Sequence, residues 1–140
     1  MNILRTFQTA FMTVSLYSAP PSVEPQQVKE ADISFVSWNV LTRTRQTPNQ
    51  IRSHPSFRLS ILQHSDIAKL IAHLPISNLQ PNETGPGDIR LVIDFKLKTG
   101  GTVSFCASQF LFYSGDQKLS AKPESLFNDY FDLNKLSLLQ

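Results

Sequence analysis

The stretch that decides the fold is IRLVIDFKLKTGGTVSFCA, residues 89–107. Along its first half apolar and polar side chains alternate, which is typical of a strand with one buried face. The apolar positions are Ile89, Leu91, Ile93, Phe95 and Leu97. Gly100 and Gly101 then allow the chain to reverse, and a second apolar strand follows them. The pattern therefore predicts an antiparallel hairpin at the centre of a sheet.

Burial on one face selects the register of this hairpin. A loop of only the two glycines would place Phe95 opposite Cys106. A three-residue loop over residues 99–101 instead places Phe95 opposite Phe105, with both rings on one face. Because a slip of one residue moves every side chain to the other face, we expect the three-residue loop. The apolar residues of the second strand occupy odd positions at Phe105 and Ala107 but even positions at Phe110 and Phe112. This change predicts a β-bulge near residues 107–109.

Other segments on both sides of the hairpin are predicted to add strands. Short runs rich in β-branched and aromatic residues, or with a period of two, are typical of strands. They lie at residues 12–17, 33–41, 57–62 and 110–113. Residues 76–88 are rich in Asn, Pro and Gly and predict a long loop.

Helix signals occur at three places. The clearest helix covers residues 65–74, with Ser65 as its cap and Pro75 at its end. Residues 47–48, Thr-Pro, open a single helical turn, and Pro123 begins a closing amphipathic helix. The whole chain, residues 1–140, is therefore predicted to form a single α+β domain. Its mostly antiparallel sheet would have one or two helices packed on a face.

Length and composition bound the class of protein. At 140 residues and 15.8 kDa the chain fits one domain, and 41% hydrophobic residues supply a core. Thirteen Lys and Arg against eleven Asp and Glu leave a net charge of +2, which argues against a protein that coats nucleic acid. The single cysteine, Cys106, excludes an internal disulfide and a cysteine-based zinc site.

The first residues bear on the cellular compartment. Residues 6–19 have the outline of a signal peptide, but polar side chains interrupt an apolar run that should extend over about 7–15 residues. Residues 1–10 are expected to be disordered or a weak signal-like segment. No run approaches the roughly 18 apolar residues of a membrane span. We therefore expect a cytoplasmic protein without a membrane partner, and the periplasm is the alternative compartment.

The sequence lacks the residue spacing that catalytic and metal sites require. His54, His64 and His73 lie far apart, so no metal site is predicted. Cys106 has no histidine or cationic neighbour in sequence, and residues 85–87 match no phosphate-binding loop. We expect no catalytic residue, no cofactor and no enzymatic activity.

One short motif supports an alternative function. Residues 91–96, LVIDFK, resemble the second half of the PD-(D/E)xK nuclease motif, in which an apolar strand presents an acid and a lysine. A period of two places Asp94 and Lys96 on one face, where a carboxylate would hold Mg²⁺ beside a phosphate. The motif also needs an upstream acid, but Asp88 is too near in sequence and Asp66 begins a helix. Alternating charges on the exposed face of a strand explain the same residues.

Charge is distributed unevenly along the chain. No acidic residue lies between Asp32 and Asp66, whereas four arginines do. The candidate partner-binding residues are these arginines, one tryptophan and two acids of the predicted closing helix: Trp38, Arg43, Arg45, Arg52, Arg58, Asp129 and Asp132. Arginine near an aromatic ring suits an acidic protein partner or a single nucleic-acid strand, and a merely solvated basic loop is the third possibility.

Residues 89–130 combine an Asp-Phe-Lys strand, a Gly-Gly turn, an aromatic return strand, a Ser-Gly-Asp turn and an aromatic helix. In this combination they resemble the small immunity proteins that bacteria pair with secreted toxins. The resemblance implies a protein that binds a toxin tightly and blocks its active site, with charge complementarity to speed capture. A nucleic-acid-acting protein, either a Mg²⁺-dependent nuclease or a single-strand binder, is the alternative.

Overall fold

The computed structural model describes residues 22–82, 85–114, 117–124 and 126. The strands delimited in this part are β1 (Val28–Phe35), β2 (Phe57–Ile61), β3 (Gln80–Pro81), β4 (Leu91–Leu97), β5 (Thr102–Ala107), β6 (Phe112–Ser114) and β7 (Gln117–Ala121). The helices are α1 (Pro48–Ser53) and α2 (His64–His73), with short 3-10 helices at Pro25–Gln27 and Ile76–Asn78. The strands form one sheet in the order β2-β1-β4-β5-β6-β7-β3, and all neighbours are antiparallel. The predicted α+β class is confirmed.

One face of the sheet packs with α2 and forms the main core. Ile93, Phe95 and Phe105 lie on this face and are fully buried. Ile67 and Leu70 of α2 belong to the same cluster, because apolar residues three apart lie on one side of a helix. Complete burial of each such side chain contributes about 1.5–3 kcal/mol. This face therefore carries the larger of the two buried apolar clusters.

The start of α2 differs from the prediction by one residue. Gln63 occupies the N-cap position and makes no side-chain capping bond, whereas Ser65 lies inside the helix. The prediction that Ser65 caps the helix is therefore wrong. Asp66 does lie in the first turn, where its charge suits the helix dipole, and the helix ends before Pro75 as expected.

The opposite face of the sheet carries α1 and a second, smaller core. Ile51 of α1 is fully buried in one cluster with Val92 and Cys106. The helix begins where predicted, because the Thr47 side chain accepts a bond from the backbone N–H of Gln50. In return the Gln50 side chain accepts one from the N–H of Thr47, which completes a capping box. The two helices thus lie on opposite faces of the sheet.

The central hairpin has a register different from the predicted one. Phe95 lies opposite Val103 and not opposite Phe105, so the predicted pairing is wrong by two residues. Gly100 has a φ of 102°, and this left-handed conformation ends a loop over residues 98–100. A shift of two residues keeps every side chain on its predicted face. The Phe95 and Phe105 rings are therefore diagonal neighbours, with centroids 6.0 Å apart.

A turn follows β5 where a β-bulge was predicted. β6 runs antiparallel to β5, so residues 108–111 reverse the chain. The Ser108 hydroxyl accepts hydrogen bonds from two backbone N–H groups within this turn. The reversal explains the change of apolar phase. It also shortens the predicted strand at residues 110–113 to β6 and leaves Phe110 at the surface.

Two other predicted elements have different bounds. The strand expected at residues 33–41 begins at Val28 and ends at Phe35, so the chain has left the sheet before Trp38. The loop expected at residues 76–88 contains a 3-10 helix and the short edge strand β3.

Some predictions concern residues beyond the described ranges. They are the weak signal-like segment 1–10, the strand at 12–17, the closing helix beyond Glu124, and the acids Asp129 and Asp132. Among the described residues, no helix combines the length and the apolar character that crossing a membrane requires.

Candidate functional site

Three loops leave the sheet at one of its ends. The residues that pair in succession across β1, β4, β5 and β6 at this end are Phe35, Leu91, Ala107 and Phe112. Segments 36–47, 85–90 and 108–111 continue from these strand ends and therefore lie close together. Loops held by a rigid sheet are where binding residues concentrate.

Arg90 connects two of these loops. Its guanidinium donates from Nε and Nη2 to Asp88 Oδ2, at 2.9 and 2.6 Å. Nη1 donates to the carbonyl oxygen of Val40 at 2.9 Å, and Nη2 donates to Thr42 Oγ1 at 3.2 Å. One side chain of the 85–90 segment thus binds the middle of segment 36–47.

The connection is buried and is reinforced by the backbone. Arg90 is only 7% exposed, and a charged group is stable at such a position only when it is paired and hydrogen-bonded. Asp88 Oδ1 accepts a further bond from the backbone N–H of Gln46 at 2.7 Å. The carbonyl of Gln46 accepts a bond from the N–H of Ile89 at 3.1 Å. The loop over residues 36–47 is therefore fixed along its length.

A cavity of about 500 Å³ opens between the three loops. Trp38 and Arg45 line it from the first loop, and Phe110 lines it from the turn after β5. The hydroxyl of Tyr113 accepts a hydrogen bond from the N–H of Gly87 at 3.1 Å and so positions the second loop at the cavity wall. The Trp38 ring packs edge to face on Phe35, with centroids 5.7 Å apart.

Large apolar side chains are exposed on two of the three loops, and one of them, Phe110, lines the cavity. Leu41 is 97% exposed, Phe110 74% and Val40 41%. Singly exposed apolar residues are ordinary, but a group of them at one end of a sheet is typical of an interaction site. We define the sheet-end surface as Trp38, Val40, Leu41, Arg43, Arg45 and Phe110.

The predicted arginines divide between two regions. Arg43 and Arg45 are exposed on the sheet-end surface, and within the described residues neither has an ion pair or a hydrogen bond. Arg52 of α1 instead donates from Nε and Nη2 to the two carboxylate oxygens of Asp94, at 2.9 and 2.8 Å. Arg58 of β2 donates to the backbone carbonyl of Arg52. The structure therefore brings Trp38 and Arg45 together at the cavity, leaves Arg43 exposed on the same loop, and places Arg52 and Arg58 elsewhere.

Arg52 belongs to a network on the sheet face that carries α1. We call this network the charged ladder; its members are Glu30, Asp32, Asp94, Lys96 and Arg52. Lys96 Nζ lies 2.7 Å from Asp32 Oδ2 and 3.5 Å from Glu30 Oε2. The Ser104 hydroxyl donates to Asp94 Oδ1 at 2.5 Å, and the Ser60 hydroxyl donates to Asp32 Oδ1 at 2.6 Å.

The ladder changes the acidity of two of its members. Burial alone would raise the pKa of Asp32, but hydrogen bonds from Lys96 and Ser60 outweigh burial and hold that pKa below its ordinary value. The hydrogen bond to Asp32 and its negative charge raise the pKa of Lys96. Both shifts favour the ionised pair.

The nuclease-like motif lies within this ladder. Asp94 and Lys96 share a face as predicted, and Asp32 lies directly opposite Asp94 on β1. The structure thus provides an acid on the partner strand, which the sequence pattern did not reveal. The guanidinium of Arg52 occupies both carboxylate oxygens of Asp94, however. In the described part of the chain, no three His, Cys, Asp or Glu side chains are arranged to hold a metal ion.

No protein-family model, curated protein or solved structure matches this chain. The candidate site is therefore assigned from the geometry of its own residues.

Several residues of the site were missed by sequence reasoning. Arg90 alternates with Ile89 and Leu91, so the period of two assigned it to the exposed face of a strand. Its burial depends on a loop some 50 positions earlier in the chain. Leu41 and Phe110 were assigned to strands, and only the positions at which β1 and β5 end make them loop residues. No local signal marks these three residues.

Proposed function

We propose that this chain is a non-enzymatic protein-binding module that binds its partner at the sheet-end surface. The observation that carries the proposal is the combination of exposed apolar side chains with two arginines that have no partner within the described residues. Aromatic residues and arginine are the side chains that contribute most to protein interfaces.

The Arg90 contacts support this proposal. Binding costs free energy when a mobile loop must become ordered, and a loop already held in place avoids that cost. Arg90 and Asp88 hold the segment that carries Leu41, Arg43 and Arg45. A preorganised surface of this kind suits tight and specific binding of a folded partner.

Neutralisation of a bacterial toxin is the form of binding that we propose. The likeness of residues 89–130 to immunity proteins supports it. The chain would lie over the active site of the toxin, and the arginines would face acidic groups of that partner. We place this activity in the cytoplasm, where the thiol of the buried Cys106 would stay reduced.

Capture from the native host tests the proposal. The tagged protein is passed through host extract, and bound proteins are identified by mass spectrometry. We expect the wild type to retain one major partner, and we expect Arg43→Ala with Arg45→Ala to lose it. Arg58→Ala is the matched control, because Arg58 is an exposed arginine of β2. The recombinant partner should be inhibited by the wild type; a partner retained equally by all three proteins, or not inhibited, contradicts the proposal.

A nucleic-acid-acting protein is the second candidate. The observation that favours it is the position of Asp32 opposite Asp94, with Lys96 on the same face. The pairing of Asp94 with Arg52 leaves that carboxylate already engaged, which is why we rank it second. Incubation of plasmid DNA with the protein and Mg²⁺ distinguishes the two candidates. Cleavage that disappears in Asp94→Ala would replace the protein-binding proposal.

A further inference from the structure

Among the described residues that line it, the cavity in the sheet-end surface has a net positive charge. Two charged groups beside it, Asp88 and Arg90, neutralise each other through two hydrogen bonds. Arg45 also lines the cavity and has no hydrogen bond or ion pair within the described residues. Within the described residues, the guanidinium of Arg45 is therefore the one charge at the cavity without a compensating carboxylate.

Apolar rings contribute to the lining of the same cavity. Trp38, Pro86 and Phe110 line it together with Arg45, so a side chain that enters the cavity would displace water from beside the guanidinium. A charge pair is stronger where water is partly excluded than on an open surface. A volume of about 500 Å³ admits one or two side chains of a partner but not a folded element.

On this basis, which rests on the proposed function, we propose that the cavity binds a carboxylate side chain in an acidic, partly apolar segment of the partner. The carboxylate pairs with the Arg45 guanidinium in the two-pronged geometry that arginine favours. A neighbouring apolar side chain of the same segment packs between Trp38 and Phe110. Exposed Leu41 extends the apolar contact beyond the cavity.

The observations favour a carboxylate over a nucleic-acid strand. A strand carries a phosphate at every nucleotide and is bound along a track of cations. Arg52 is paired with Asp94, and Arg58 donates to the carbonyl of Arg52, so neither extends such a track from the cavity. Arg43 and Arg45 alone suit a local contact, in keeping with a net charge of only +2.

The single tryptophan makes the inference directly testable on the free protein. Trp38 is the only Trp of the chain, so its fluorescence reports on this cavity without labelling. Three probes are titrated: a short blocked peptide that alternates Glu and Leu, the same peptide with Gln in place of Glu, and an oligothymidylate. We expect a saturable change with the acidic peptide and about tenfold weaker binding of the Gln peptide.

Two variants test whether the acidic peptide binds at Arg45. Arg45→Gln should weaken binding of the acidic peptide about tenfold, whereas Arg58→Gln, the matched control, should leave it unchanged. Equal affinity for the Glu and Gln peptides, an unchanged affinity in Arg45→Gln, or tighter binding of oligothymidylate overturns the inference. The capture from host extract distinguishes a failure of the cavity assignment from a failure of the proposed function. If capture still requires Arg43 and Arg45 while the peptide result is negative, the proposed function stands and the assignment of the cavity is wrong.

Discussion

The charged ladder and the sheet-end surface both contain arginines from one basic stretch of the sequence, and they use them differently. In the ladder, Arg52 binds both oxygens of Asp94, and Lys96 lies between Asp32 and Glu30. On the sheet-end surface, Arg43 and Arg45 are exposed and have no such partner within the described residues. Proximity in sequence therefore does not make these arginines one binding site. Arg52 contributes to the structure of the ladder, whereas Arg43 and Arg45 are available to a partner.

The largest expected effect is the loss of stability on replacing Arg90, the side chain that holds the loop of the sheet-end surface. Arg90→Ala leaves Oδ2 of Asp88 and the Val40 carbonyl without the donor that Arg90 provides. Because Arg90 is buried and Asp88 is partly exposed, we expect the free energy of unfolding to fall by about 2–4 kcal/mol. Urea denaturation measures this change. Arg43→Ala is the control, with an expected change within about 0.5 kcal/mol. If both variants lose the same small amount, the loop is held by other contacts.

A smaller effect is expected in the charged ladder. Arg52→Ala should lower the free energy of unfolding by about 1–2 kcal/mol, because the bidentate pair is only partly screened by solvent. The side chains of Arg52 and Asp94 are 34% and 16% exposed. A double-mutant cycle with Asp94→Ala isolates the pair. Additive losses, with no coupling between the two positions, would show that the pair contributes nothing beyond its separate members.

The ladder should also make stability depend on pH. The folded-state pKa of Asp32 is lowered, so its contribution is present above the ordinary aspartate pKa and is lost as pH falls through the folded value. The raised pKa of Lys96 has the opposite sign: its contribution is present below the ordinary lysine pKa and is lost as pH rises through the folded value. Asp32→Asn should therefore flatten the acid limb of the stability curve. Urea midpoints measured across acid pH test this, and parallel acid limbs for wild type and variant would contradict it.

The hairpin shows how far the sequence predicts this fold. Alternation in β4 and β5 identifies the buried face, because the side-chain period is local. The pairing of Phe95 was wrong by two residues, since both registers bury the same face and alternation therefore does not distinguish them. The start of α1, with Thr47 as its cap and Pro48 at the first helical position, was predicted correctly for the same reason as the alternation, since the signal is local.

The candidate site was less predictable because its contacts are not local. Arg52 and Asp94 lie 42 positions apart, and no pattern in either segment predicts that they pair. Arg90 reaches a carbonyl 50 positions earlier, which converts a nominally exposed strand position into a buried one. Sequence reasoning identified Trp38, Arg43 and Arg45 from composition, but their separation from Arg52 and Arg58 required the fold.

The most direct test of the account is a titration of the captured partner against two double variants by isothermal calorimetry. Arg43→Ala with Arg45→Ala removes the available arginines and should weaken binding more than about tenfold, while urea denaturation shows it as stable as the wild type. Arg52→Ala with Arg58→Ala removes the other two arginines and should bind within about twofold of the wild type, at a temperature where it remains folded. The opposite pattern, with binding lost only in the second variant, would contradict the assignment of the partner to the sheet-end surface.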